Sequence, residues 1–214
     1  MLDQEGVLDA DAIDDLSLST PAKRDETKIA GMPRSKFIAQ AGIIGAVYAA
    51  LTLITILLLQ GLAWGPVQFR LSEALCVIAV LTPAAVPGLT VGCIVANLIA
   101  LVINGTGALG MLDVVFGSAA TFVGAYFCWK MRNHPKVALL GPVLANAFIV
   151  PAYLPLLLQG FGYYTIPFTT ISLDGLYVYM YLFGVVATGI GEALVIYCLG
   201  LPLLMALKRS GIGR

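Results

Sequence analysis

Charge is what this chain has least of. Of its 214 residues, 12 are Lys or Arg and 12 are Asp or Glu, 11% together, where a soluble domain averages about 25%. With 59% hydrophobic residues and a mean hydropathy of +0.93, the soluble globular class is excluded, because long uncharged apolar runs need lipid as their solvent. From Phe37 to Trp129 only Arg70, Glu73 and Asp113 carry charge. Histidine is scarcer still: His134 stands alone in the polar run KMRNHPK and reads as solvated rather than catalytic. The four cysteines, Cys76, Cys93, Cys128 and Cys198, occur singly, which suits neither a zinc site nor a disulfide framework; they read as small core residues. There is no Walker A loop, HExxH, GxSxG or dinucleotide fingerprint, so neither an enzyme nor a cofactor or metal site is expected. No repeat relates the two halves, which argues against a secondary transporter. A nucleic-acid partner is not expected either.

What the chain does have is apolar spans, and an acidic start. Residues 1–30 hold eight acids against three bases and no aromatic residue, the composition of a disordered, solvated tail, without the pattern of a signal peptide. The predicted domains are a disordered acidic cytoplasmic tail at 1–35, a six-helix transmembrane substrate-binding domain at 36–208 and a short cytoplasmic C-terminal tail at 209–214. Six spans are predicted, at 36–59, 67–81, 86–103, 109–130, 137–158 and 175–207, separated by Gly, Pro and Asn clusters. The fold class is therefore an all-α membrane bundle of six helices. The second span, about 15 residues or ~22 Å long, falls short of the ~30 Å hydrocarbon core, so it is expected to be buried among its neighbours. With both ends placed inside, eleven of the twelve Lys and Arg residues are cytoplasmic and Arg70 is the exception; the positive-inside bias predicts an N-in, C-in topology.

In that orientation Arg70, Glu73, Asp113 and Asp174 lie toward the outside. Intramembrane charge is a functional hypothesis by default; the structural alternative is an ion pair of Arg70 with Glu73 or Asp113. Arg70 and Glu73 share a helix face at i and i+3, and Arg70 is expected to hold Glu73 ionised. On the last span Tyr177, Tyr181, Gly184, Thr188 and Glu192 form a polar stripe at helical spacing. Glu192 has no cation near it in sequence, so it must meet Arg70, carry a proton or bind a ligand. Asn97 and Asn146 could complete a polar pocket or serve as interhelical glue. The aromatic stretch 161–168 fits an interfacial belt or a lid. On the first span two small-residue stripes run in parallel, Ala41, Gly45, Ala49 and Gly42, Ala46, Ala50. Either lets another helix approach closely, from inside the chain or from a partner.

The strings GPVQFRLSEAL, PAAVPGLTVGCIVANL and LGMLDVVFGSAAT resemble the QueT family over residues 36 to 208. Those proteins are substrate-specific S components of energy-coupling factor transporters, linked to salvage of queuosine precursors. The resemblance implies six helices, a ligand site near the outer side, and docking onto a transmembrane T component that carries two ATPases. It also implies an Ala-x-x-x-Ala-type docking motif on the first helix, which falls on either small stripe here. A 7-deazaguanine base presents a ring N–H and an exocyclic amine that one carboxylate can accept, with Glu73, Asp113 and Glu192 as candidates. Arg70, Asn97, Asn146 and Tyr181 complete the expected site. The rival readings are an S component for another vitamin or nucleobase, and a proton-coupled carrier using Glu192.

Overall fold

The structure, a computed structural model, describes residues 28–58, 69–105, 107–160, 165, 170, 172 and 177–211. The acidic tail before Lys28, the break at 61–66, most of the aromatic stretch 161–168, and Asp174 lie outside the described residues. The chain divides into two units between Lys36 and Phe37. In the first, β1 (Lys28–Ile29) and β2 (Met32–Pro33) pair antiparallel.

The second unit is helical. Helix α1 covers Arg34–Leu58, α2 Ala85–Asn104, α3 Ser118–Lys130, α4 Leu140–Gly160, α5 Tyr177–Leu194 and α6 Leu201–Arg209. Between α1 and α2 runs a 3-10 helix, Leu71–Val80. A π-helical turn, Asp113–Gly117, leads into α3, and another, Val195–Gly200, joins α5 to α6. Among the described residues five continuous stretches are long and apolar enough to cross a membrane: Arg34–Leu58, Ala85–Asn104, Gly107–Lys130, Pro135–Leu156 and Tyr177–Arg209. The described residues of this unit thus form an all-α bundle with five long spans and one short one.

The short one differs from the sequence expectation in kind. Leu71–Val80 is 3-10 rather than α, so its ten residues reach about 20 Å at ~2 Å per residue. Its predicted burial holds, with Ser72, Glu73, Ala74, Leu75, Cys76 and Val77 all buried. It packs against α2, α3, α6 and the second π turn.

The bundle is inverted in polarity relative to a soluble protein. Large apolar side chains point outward, among them Leu58 and Val102, each 76% exposed, as lipid-facing surface requires. The centre holds small residues together with Tyr48, Leu75, Val77, Leu89, Leu139 and Ile196. Where α1 meets α2 the contact is backbone on backbone. A Cβ added to Gly92 would stand 2.5 Å from the Gly45 carbonyl oxygen, and one added to Gly45 would stand 2.8 Å from that of Gly88. Only glycine permits this approach. Of the two stripes on α1, Gly45 and Ala49 are therefore buried inside the bundle with Ala41 partly so, whereas Gly42, Ala46 and Ala50 face outward.

Candidate binding site

The acids of the second unit that the structure describes are all buried in the membrane-spanning part: Glu73 is 1%, Glu192 4% and Asp113 7% exposed. Each is held by a different set of neighbours. Arg70 precedes the 3-10 helix in an extended conformation (φ −109°, ψ 105°), so it does not share a helix face with Glu73. Its guanidinium reaches α3's lead-in instead and donates to Asp113 Oδ2 at 2.8 Å. The expected Arg70–Glu73 pair is thus replaced by the alternative partner, Asp113. The reason is that the helix starts one residue after the arginine.

Asp113 opens the π-helical turn. Its other carboxylate oxygen, Oδ1, accepts from the Tyr153 hydroxyl at 2.7 Å, and its backbone carbonyl accepts from Asn97 Nδ2 at 2.8 Å. Space for this knot is made by Gly117, where a Cβ would meet Asp113 Oδ1 at 2.8 Å and the Tyr153 hydroxyl at 3.2 Å. π turns recur at functional sites. Here one starts at Asp113, and the other begins three residues after Glu192.

Glu73 is satisfied from elsewhere. The Tyr48 hydroxyl of α1 donates to Oε1, Thr121 Oγ1 lies 3.5 Å from the same oxygen, and the Cys76 thiol donates to Oε2 at 3.1 Å. That last bond joins i and i+3, which eclipse in a 3-10 helix. Thr52 Oγ1 lies 2.7 Å from Ser72 Oγ and extends the polar seam between α1 and the 3-10 helix.

Glu192 is the acid left over. It sits in the electrostatic field of Glu73 and Arg70, with Asn146 beside it, yet its Oε2 has no hydrogen-bond partner. Thr188 Oγ1, one turn above, and Asn97 Oδ1 next to Asp113 are likewise without partners, and Asn146 Nδ2, though close enough to favour the Glu192 carboxylate, makes no hydrogen bond of full geometry. Each such buried orphan costs about 1–3 kcal/mol, and native proteins keep few of them. Ser118 Oγ is also unpartnered, but that residue lines an apolar groove with Thr90 and Phe122.

Of the sequence candidates, Arg70, Asp113 and Asn97 meet directly, Glu73 and Glu192 interact at longer range, and Asn146 joins Glu192. Tyr181 does not join them by any hydrogen bond: its hydroxyl donates to the Phe148 carbonyl of α4 at 3.2 Å, and Tyr177 likewise to Ala152 at 2.7 Å. The polar stripe on α5 therefore splits, with its tyrosines clamping α4 and Thr188 and Glu192 buried. Sequence reasoning missed Tyr48, Thr121 and Tyr153. Tyr48 was findable, since Tyr48, Thr52 and Thr55 form an i, i+4, i+7 polar row on the buried face of α1. Tyr153 carries no such signal. Among the described residues no group of His, Cys, Asp and Glu is placed to hold a metal ion.

A protein-family model described as QueT transporter matches residues 38–209. The chain belongs to the QueT transporter family. With its five long apolar spans, this QueT-family protein is a multi-pass membrane protein of a transport system, in the cell membrane. No curated protein and no solved structure matches the chain.

Proposed function

We propose that this QueT-family protein is the S component of an energy-coupling factor importer, and that it captures a queuosine precursor of the 7-deazaguanine class. It works with a T component and two ATPases, and both its ends lie in the cytoplasm. One observation carries the substrate reading: four buried polar atoms on α2, α4 and α5 lack hydrogen-bond partners. Glu192 Oε2 and Asn97 Oδ1 are acceptors, Asn146 Nδ2 is a donor and Thr188 Oγ1 is either. A deazaguanine edge offers a ring N–H and an exocyclic amine as donors, and a carbonyl as acceptor.

Glu73 already accepts bonds on both oxygens, which supports giving the donor edge of the base to Glu192. Arg70 and Asp113 then act as a fixed pair that positions Asn97, and Glu73 as the acid that braces α1 against the 3-10 helix. With Arg70 matched by Asp113, Glu73 and Glu192 have no cation of their own among the described residues, so an aminomethyl arm is favoured over a nitrile.

Glu192→Gln preserves shape while turning one acceptor into a donor that faces donors. Titration calorimetry of the purified subunit with a 7-deazaguanine precursor should show affinity reduced roughly 10- to 150-fold, the equivalent of ~1.5–3 kcal/mol. Unchanged affinity in the folded variant removes Glu192 from the site, and absence of binding by the native protein removes the substrate class. The same lone acid also suits a proton-coupled carrier. Uptake that persists without ATPases and collapses with the proton gradient would establish that reading instead.

A further inference from the structure

Away from the acids, the connection between α3 and α4 and the facing side of α6 form an open pocket of about 470 Å³. Its rim carries Lys136 and His134 from the connection and Lys208 from α6, and its floor is Leu201, Leu204 and Met205. The rim is held in place: the Tyr197 hydroxyl donates to the Lys136 carbonyl at 3.1 Å, and the Cys128 thiol donates to the Ala138 carbonyl at 3.1 Å. Among the described residues neither lysine has an ion-pair partner. The described acids of this unit are Glu73, Asp113 and Glu192, all buried elsewhere.

Two cationic side chains, Lys136 and Lys208, thus line the same pocket as the apolar Leu201, Leu204 and Met205. Leu204 at the bottom is buried, while Met205 at the edge is 49% exposed and continues into the lipid-facing surface. Beside the pocket, Arg132 lies over the Trp129 ring at 4.1 Å, an aromatic–cation pair of the kind found at headgroup depth. A soluble phosphate would use the rim and leave the floor wet. An amphiphile uses both.

We propose that this pocket binds one anionic phospholipid, with its phosphate between Lys136 and Lys208 and the start of an acyl chain along Leu201, Leu204 and Met205. Assigning it to the inner leaflet rests on the N-in orientation; the binding itself does not, nor does it depend on what the transporter carries.

The full-length protein, purified in mixed micelles, is titrated with phosphatidylglycerol, phosphatidylcholine or glycerol 3-phosphate, and bound lipid is counted by native mass spectrometry. One phosphatidylglycerol should be retained in preference to phosphatidylcholine, with no effect of glycerol 3-phosphate. Lys136→Gln and Lys208→Gln should each weaken retention about fivefold, and their combination about 25-fold. Lys130→Gln, outside the pocket, should leave retention unchanged, as should a double Lys→Arg replacement at 136 and 208. Equal loss in Lys130→Gln would reduce the effect to general surface charge. Displacement of the lipid by glycerol 3-phosphate would identify a soluble phosphate site. Native retention in the double Gln variant would end the proposal.

Discussion

Arg70→Met is expected to lower unfolding free energy by about 3–5 kcal/mol, the usual result of breaking a buried pair from one side. Asp113 is 7% exposed, and without the guanidinium its only side-chain donor among the described residues is the Tyr153 hydroxyl. The damage comes from the stranded carboxylate, so a second change can repair it. Asp113→Asn in the Arg70→Met background removes the charge, keeps the shape, and should restore most of the thermal stability in detergent. Glu73→Gln in the same background should restore nothing, because Tyr48 and Cys76, not Arg70, satisfy that acid. Rescue by Glu73→Gln and not by Asp113→Asn would return Arg70 to the partner that sequence spacing suggested.

The second large effect separates the two faces of α1. Ala46→Leu adds bulk on the outward face, where even the neighbouring Gly42 has nothing within 4 Å of an added Cβ. The isolated subunit should keep its melting temperature and its ligand affinity. If the proposed assembly holds, complex formation with a T component, read by co-purification, should be lost, and ATPase-dependent uptake with it. Gly92→Ala works in the opposite direction. Its Cβ would stand 2.5 Å from a backbone oxygen of Gly45 that cannot swing aside, and overpacking of this kind costs about 1–3 kcal/mol. Destabilisation of the lone subunit is therefore expected there. If Ala46→Leu unfolds the subunit while Gly92→Ala leaves both stability and assembly intact, the two faces have been assigned the wrong way round.

The spans were legible because hydropathy and Gly/Pro punctuation are local properties. So was the burial of the second span, which followed from its length. Its conformation was not legible: a ten-residue apolar run has the same composition as an α-helix or as a 3-10 helix, and the choice lies with its neighbours. The partner of Arg70 was not legible either, since pairing at i and i+3 presumes that both residues are inside one helix and this one begins at Leu71. The three buried acids were all visible as lone charges in apolar sequence. Their hydrogen-bond partners were not, because Tyr48 lies 25 residues from Glu73 and Tyr153 lies 40 residues from Asp113. Spacing also offered two small stripes on α1 without a choice between them. The glycines of α2 made that choice, by claiming Gly45.

Leu71–Val80 is long for a 3-10 helix, a conformation whose hydrogen bonds are poorly aligned and which seldom runs beyond three or four residues. Eight of its ten residues are buried. It keeps its shape because the surrounding helices leave the backbone no other, and little of its protection against amide exchange can come from its own ladder. Hydrogen exchange along this segment therefore follows the parting of the bundle as a whole, in contrast to helix ends that fray singly. The amides that carry Glu73 then act as an internal gauge, exchanging when the helices around them move apart.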